Sequence, residues 1–129
     1  MYSSAYLEKA RHELVEFGKR LVTANLTKGT GGNLSVFDRE NGTVAITPSG
    51  IDFFEIRPED IVIIDLDGKT VEGTKTPSSE WEMHLMPYRH RNDIDAVIHA
   101  HTTYATVLAV LRQDLPPSHY MVAVAGPNV

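Results

Sequence analysis

The sequence predicts an α/β fold, and three observations predict it. Residues 4–25 form an amphipathic run with helical periodicity. Two apolar segments flank Asn41-Gly42, which is a strong β-hairpin signal. The run Ile61–Leu66 is typical of a strand that is buried on both faces. One long helix followed by several short strands indicates a mixed α/β domain.

Composition narrows the class of protein. The chain has 129 residues, of which 42% are hydrophobic and 22% charged, as is ordinary for one soluble domain. A net charge of -5 without any Lys/Arg cluster argues against a nucleic-acid partner. Because cysteine is absent, any metal site must use histidine and carboxylates. No signal-peptide pattern and no bilayer-length apolar run are found, so we expect a cytoplasmic protein without membrane association.

The domain organisation is simple. No linker, repeat or low-complexity segment interrupts the sequence, and we predict one domain spanning residues 1–129. The sequence stops at Val129 directly after an apolar segment that resembles a strand in need of partners. We therefore expect a domain truncated at its C-terminal end.

The first half of the chain supplies a helix and three strands. Ser3 or Ser4 can cap the helix, and Asn25 lies where it should stop. A polar loop with three glycines, 27–35, is either a turn between helix and strand or a backbone cradle for an anion. Strands follow at 34–38, 43–47 and 61–66, and Asp67-Gly68 turns the chain back towards Val71. The apolar stripe of the helix is predicted to contain Leu7, Ala10, Leu14, Phe17, Leu21 and Ala24, with His12 on the surface.

A second helix is predicted to start within Thr76–Glu80. Thr76 suits the N-cap and Pro77 the first helical position, while Ser79 and Glu80 fill the first turn. Glu80 is then either a partner of the helix dipole or a neighbour of a phosphate bound by this turn. The chain should leave this helix near Arg91, and its packed side is predicted to contain Trp81, Leu85 and Tyr88.

The segment 95–104 predicts half of a metal site. It is typical of a buried strand over 96–101 that runs into a helix starting near Thr102 or Thr103. Because side chains alternate along a strand, His99 and His101 should point the same way. Two adjacent imidazoles suit zinc, although one could equally be a core residue and the other simply exposed.

Two further elements are predicted after this strand. Residues 104–111 should form a mostly buried helix, and 118–125 a strand behind Pro116-Pro117. On that strand His119 and Tyr120 should point to opposite faces. Taken by itself, Tyr120 is an edge aromatic with its hydroxyl in water.

Five short motifs occur in a fixed order: Thr-Gly-Gly-Asn-Leu-Ser, Thr-Pro-Ser-Gly, Pro-Ser-Ser-Glu, His-Ala-His and His-Tyr-Met. Together they closely resemble the class II aldolase/adducin family, and within it the L-fuculose-1-phosphate aldolases. The resemblance spans essentially the whole chain. It implies a three-layer αβα fold around a largely antiparallel sheet. It also implies zinc-dependent cleavage of a ketose 1-phosphate, L-fuculose 1-phosphate, into dihydroxyacetone phosphate and L-lactaldehyde.

The resemblance assigns roles to particular residues. His99 and His101 match two zinc ligands, whereas the family's third histidine has no counterpart before Val129. Glu80 matches the catalytic acid/base, which can also bind the metal when substrate is absent. Tyr120 matches a tyrosine that reaches into the active site of a neighbouring subunit in a cyclic tetramer. The positions that match the phosphate-binding groups are Asn33, Ser49, Gly50, Ser78 and Ser79.

These residue types fit the implied chemistry. Zinc would stabilise an enediolate as a Lewis acid, and Glu80 would remove the carbon-bound proton. Tyr120 would donate a proton to the aldehyde oxygen.

L-Ribulose-5-phosphate 4-epimerases are related but typically carry Asp at the position of Glu80. Other sugar-phosphate lyases of the family and a non-catalytic adducin-like module are further alternatives, and without the third histidine the 129-residue chain itself should be poorly active.

Overall fold

A computed structural model describes residues 4–125 and has the α/β fold that the sequence predicts. Five strands form one antiparallel sheet in the order β4-β3-β2-β1-β5. The described helices are α1 (Ala5–Thr23), α2 (Trp81–His90), α3 (Thr103–Leu111) and α4 (Val122–Ala125), with a short 3-10 helix at Pro58–Asp60. The strands are β1 (Asn33–Asp38), β2 (Thr43–Ile46), β3 (Val62–Asp65), β4 (Thr70–Glu72) and β5 (Ala96–His99).

Two hairpins build most of the sheet, as predicted. The turn at Asn41-Gly42 joins β1 to β2, and Gly42 adopts a φ of 65° that suits glycine. The turn at Asp67-Gly68 joins β3 to β4. After β4 the chain forms α2 and returns to the opposite edge of the sheet, where β5 pairs with β1.

Helices cover both faces of the sheet, which gives the three layers that the resemblance implies. Side chains alternate along β3, so Ile63 packs with α1 whereas Val62 and Ile64 pack with α2. On the α2 side, Leu85 is fully buried and Tyr88 stacks on the ring of Phe37, with ring centroids 5.0 Å apart. The apolar α1 and α2 surfaces therefore fix which face of each strand is buried.

Helix α1 begins with a side-chain cap and buries one stripe. The hydroxyl of Ser4 accepts a hydrogen bond from the Leu7 backbone N–H at 3.2 Å. Leu7, Ala10, Leu14 and Leu21 are buried as predicted. The prediction that Phe17 belongs to the buried stripe is wrong. Gly18 faces the core instead, and Phe17 is 43% exposed. Ala24 is also exposed, whereas His12 lies on the surface as expected.

The predicted start of the second helix is wrong. Helix α2 begins at Trp81, with Glu80 at the N-cap position, and not at Pro77. The preceding segment is extended, because the Ser49 N–H donates to the Thr76 carbonyl and the Ser78 N–H donates to the Thr47 carbonyl. This ladder between two loops outweighs the local preference of Thr-Pro for a helix start. The predicted exit at Arg91 is confirmed, and so is the packed side of the helix.

The C-terminal third differs most from expectation. Strand β5 ends at His99 and is exposed to half-exposed, because it is an edge strand rather than a buried one. Helix α3 starts at Thr103 as predicted, but each of its residues is exposed or half-exposed. The predicted strand over 118–125 is wrong, since residues 119–121 turn into α4 and lack the partner strand that a β-ladder needs. Residues 126–129 and Ser3 lie outside the described part.

Within residues 4–125, the structure contains no helix of sufficient length and apolarity to cross a membrane.

Candidate metal and active site

Strand parity places the polar site residues on the α2 face of the sheet. Asn33 in β1 is the cross-strand partner of His99 in β5. Val97, two residues before His99, packs in the cluster on the α2 side, whereas Ala100 packs with the core under α1. Side chains at odd positions of β5 therefore face α2, where the N-terminal end of that helix presents Glu80.

Glu80, His99 and His101 converge. One potential ligand atom from each residue lies within 4.8 Å of the other two. The His99 Nδ1 is 2.9 Å from Glu80 Oε2, and the Nε2 atoms of the two histidines are 3.1 Å apart. His99 is the more enclosed, with 22% of its side chain exposed against 41% for Glu80. The geometry that the two-residue spacing of the histidines predicts is therefore present, with a carboxylate beside it.

This donor set fits a divalent cation. Nδ1 of His99 is buried and forms no hydrogen bond, because its close contact with Glu80 lacks hydrogen-bond direction. A buried polar atom without a hydrogen-bond partner needs an explanation, and an ion is one. Two imidazoles and a carboxylate are ligands that zinc accepts. That the three side chains bind zinc stays a prediction.

Glu80 is held by one hydrogen bond to its carboxylate and one from its backbone. The Asn33 side-chain NH2 donates to Oε2 at 2.6 Å, and the Glu80 backbone N–H donates to the Ser78 hydroxyl at 3.3 Å. The hydrogen bond from Asn33 lowers the pKa of Glu80 below its usual value, and the nearby His99 and His101 lower it further. Glu80 is thus kept ionised, as a general base or a metal ligand must be.

A buried polar row lies behind this carboxylate, and sequence reasoning missed its central member. His84 is fully buried, and its Nε2 forms a short hydrogen bond with Asn33 Oδ1. Its Nδ1 lies 2.7 Å from the Ser35 hydroxyl, which lies 2.6 Å from the Tyr88 hydroxyl. The available signal was position, because residues 81, 84, 85 and 88 have the spacing of one buried helix face.

The buried His84 makes the fold sensitive to acid. Burial lowers the pKa of His84 from 6.5 to about 4, with His99 contributing and Glu80 opposing. The unfolded chain therefore binds a proton between pH 6.5 and 4 that the folded chain excludes. The free energy of unfolding should fall by up to about 3 kcal/mol as the pH decreases through this interval.

Urea unfolding of the metal-free protein at a series of pH values measures this effect. His84→Gln should lose less stability than the wild type between pH 6.5 and 4, since the excluded proton site is gone. His12→Gln, a substitution at an exposed histidine of α1, is the matched control and should keep the wild-type dependence. Identical slopes for the wild type and His84→Gln would contradict the assignment.

The loops predicted to hold phosphate lie side by side. Pro48 and Pro77 form an antiparallel bridge, which brings the Thr-Pro-Ser-Gly turn against the Pro-Ser-Ser-Glu segment. Ser49, Gly50 and Ser79 are exposed, whereas Ser78 is buried. Thr47 ties the first turn to β1, because its hydroxyl accepts from the Leu34 N–H at 3.1 Å. The phosphate-binding role of these residues stays a prediction.

The glycine loop approaches β5 closely. Gly32 has a φ of +80°, and a Cβ at this position would lie 2.9 Å from the His99 carbonyl oxygen. The Thr27 hydroxyl, which donates to the Gly31 carbonyl at 2.8 Å, closes the loop on its other side. Gly32 therefore lets the backbone pass His99 and deliver Asn33 into the site.

Tyr120 lies on the segment between α3 and α4. It is 77% exposed, and its ring centroid is 4.4 Å from that of His119. The two rings therefore lie beside each other and not on opposite faces of a strand. A role for Tyr120 in a neighbouring subunit stays a prediction.

Together these features define an α/β domain with a histidine–carboxylate site at the edge of its sheet. The family model described as "Class II Aldolase and Adducin N-terminal domain" matches residues 12–129. The chain belongs to this family, as the motifs predict.

Similar proteins carry related names. The chain is 53% identical to the 5-deoxy-D-ribulose 1-phosphate aldolase of Bacillus thuringiensis serovar kurstaki, covering 95% of this chain and 58% of that protein. It is 38% identical to the L-fuculose phosphate aldolase of Escherichia coli K12, covering 93% and 54%. A solved L-fuculose 1-phosphate aldolase superposes with a TM-score of 0.86 at 64% identity, covering 95% and 56%. The chain thus spans a little over half the length of these relatives.

Proposed function

We propose that the protein containing this chain is a metal-dependent class II aldolase that cleaves a ketose 1-phosphate. The observation that carries the proposal is the convergence of Glu80, His99 and His101 within 4.8 Å. Family membership and the names of the relatives support the same reaction class. The zinc identity, the tetrameric assembly and the cytoplasmic location expected from the sequence remain predictions.

The chain's own residues would divide the work. His99 and His101 would hold the metal, with Glu80 beside them. A bound zinc ion supplies Lewis-acid stabilisation of negative charge on substrate oxygens. Glu80 would move the proton at the reacting carbon, because Asn33 keeps its carboxylate ionised and fixed. Tyr120 from a neighbouring subunit would donate the proton to the aldehyde oxygen.

The substrate phosphate would lie where the two bridged loops meet the start of α2. Hydroxyls, backbone N–H groups and a helix N-terminus can hold a phosphate without a lysine. Asn33 Nδ2 gives one hydrogen to Glu80 and has a second to offer. The exposed turn at Ser49-Gly50 and the exposed Ser79 are accessible to such a group.

Two substrates are favoured. The motifs and the solved structure at 64% identity support L-fuculose 1-phosphate, whereas the relative at 53% identity supports 5-deoxyribulose 1-phosphate. Both would release dihydroxyacetone phosphate, but the aldehyde would be L-lactaldehyde in the first case and acetaldehyde in the second. The phosphate and metal residues serve both, so the carbons beyond the cleaved bond decide between them.

A substrate panel with the full-length protein and added zinc tests the proposal. We expect release of dihydroxyacetone phosphate from at least one of the two ketose 1-phosphates, and its loss after chelation. L-Ribulose 5-phosphate belongs in the panel, because its epimerisation without cleavage would favour the epimerase alternative. A protein that binds no metal and cleaves neither ketose 1-phosphate would contradict the proposal and favour an adducin-like module.

A further inference from the structure

The buried row behind Glu80 has a fixed hydrogen-bond direction. An ionised carboxylate only accepts hydrogen bonds, so the Asn33 group facing Glu80 at 2.6 Å is its NH2. The other end of the same amide, Oδ1, faces His84 and can only accept. His84 must therefore donate from Nε2.

The direction continues on the other side of the imidazole. His84 is 0% exposed, and its lowered pKa keeps it neutral near pH 7, with one N–H. Its Nδ1 is then an acceptor, and the Ser35 hydroxyl at 2.7 Å must donate to it. The single Ser35 hydrogen is thereby used, so the Ser35 hydroxyl has none to give to the Tyr88 hydroxyl 2.6 Å away, whose own hydrogen is donated to the Ser35 carbonyl oxygen at 3.1 Å. The donors of Ser35, His84 and Asn33 therefore all point towards Glu80.

The tautomer of His84 thus determines the direction of the Asn33 amide, and this amide positions the Glu80 carboxylate. With the proton on Nδ1, the Nε2 lone pair of His84 would face the lone pairs of Asn33 Oδ1. The amide would have to rotate and would present its oxygen to the Glu80 carboxylate, which repels it. Glu80 would lose the donor that holds it 2.9 Å from His99.

We propose that His84 is a positioning residue that fixes the direction of the Asn33 amide and thereby holds Glu80 against the two histidines. The inference rests on the proposed function, because it takes Glu80 as the acid/base and a metal ligand. The competing explanation is that the buried polar row only specifies how the core packs. The two explanations predict different results for a replacement of His84 that keeps an N–H donor for Asn33. Only the positioning role predicts that such a replacement recovers activity and metal affinity.

The first test reads the tautomer directly. Long-range ¹⁵N–¹H NMR of the full-length protein with ¹⁵N-labelled histidine should show His84 protonated at Nε2 alone. In Ser35→Ala the donor to Nδ1 is absent, and both tautomers should be populated. Protonation of the wild-type residue at Nδ1 would overturn the inference.

The second test measures kcat for ketose 1-phosphate cleavage and the affinity for Co²⁺, read from its absorption spectrum. His84→Leu should lower both by about 10- to 100-fold, as the loss of a group that orients a ligand typically does. His84→Gln retains a side-chain N–H donor for Asn33 and should recover most of each loss. His90→Gln, on the exposed side of the same helix, is the matched control and should change neither.

The results of these tests distinguish the positioning role from a purely structural one. Wild-type values in His84→Leu, or equal losses in His84→Leu and His84→Gln, would overturn the positioning role. If His84→Leu does not fold, Ser35→Ala takes its place, and wild-type kcat and Co²⁺ affinity there would overturn the role. A folded wild type that binds Co²⁺ but cleaves no ketose 1-phosphate would reject the proposed function. In that case the tautomer and the Co²⁺ affinities of the variants would still test the positioning role of His84.

Discussion

Glu80→Gln is expected to lower kcat for ketose 1-phosphate cleavage by about 10²- to 10⁴-fold, the range for loss of a general acid/base. Glutamine has nearly the same shape and can still accept the hydrogen bond from Asn33 through its carbonyl oxygen. It cannot accept a proton from carbon near neutral pH. Steady-state kinetics of the full-length, zinc-loaded protein measures the effect.

The matched control for this variant is Glu82→Gln, two residues further along the same helix and exposed to solvent. It removes the same charge near the N-terminus of α2 and should keep kcat near the wild-type value. If both variants lost activity equally, the effect would come from the charge of the helix end. A fully active Glu80→Gln would remove Glu80 from the chemistry.

His99→Ala is expected to weaken zinc binding by more than about 100-fold, since even groups that only orient a ligand typically contribute 10- to 100-fold. His99 is the most enclosed of the three converging side chains and touches both of the others. His101→Ala should act in the same direction. Competition against a chelator of known affinity measures the dissociation constants.

His12→Ala, at an exposed histidine of α1, is the control for the histidine variants and should leave zinc affinity unchanged. Circular dichroism establishes that each variant is folded. Should a folded His99→Ala protein bind zinc as tightly as the wild type, the cluster at the edge of the sheet would not be the metal site.

Features that depend on neighbouring residues in the sequence were predicted well. The Ser4 cap, the hairpin at Asn41-Gly42 and the shared face of His99 and His101 each follow from local geometry. The shared face needs only the two-residue repeat of a strand. The prediction that Glu80 lies beside these histidines has another basis, because it came from the family resemblance and not from residue spacing.

Features that depend on distant partners were missed. Thr76-Pro77 has the local signature of a helix start, yet its backbone pairs with residues 47–49 instead. Burial of β5 and α3 was overestimated because apolar sequence indicates which residues suit a core and not what covers them. The role of His84 depends on contacts with residues 49 and 51 positions away, Ser35 and Asn33, which no local pattern reveals.

Asn33 in β1 pairs with His99 in β5. The site therefore forms only when β5 is aligned with β1 in this register. A slip of a single residue would turn His99 and His101 towards α1 and bring Ile98 and Ala100 to face Glu80. The composition would be unchanged, yet the ligands would lie on the wrong side of the sheet. Gly32 permits the correct alignment, because a side chain at this position would meet the His99 carbonyl oxygen at 2.9 Å.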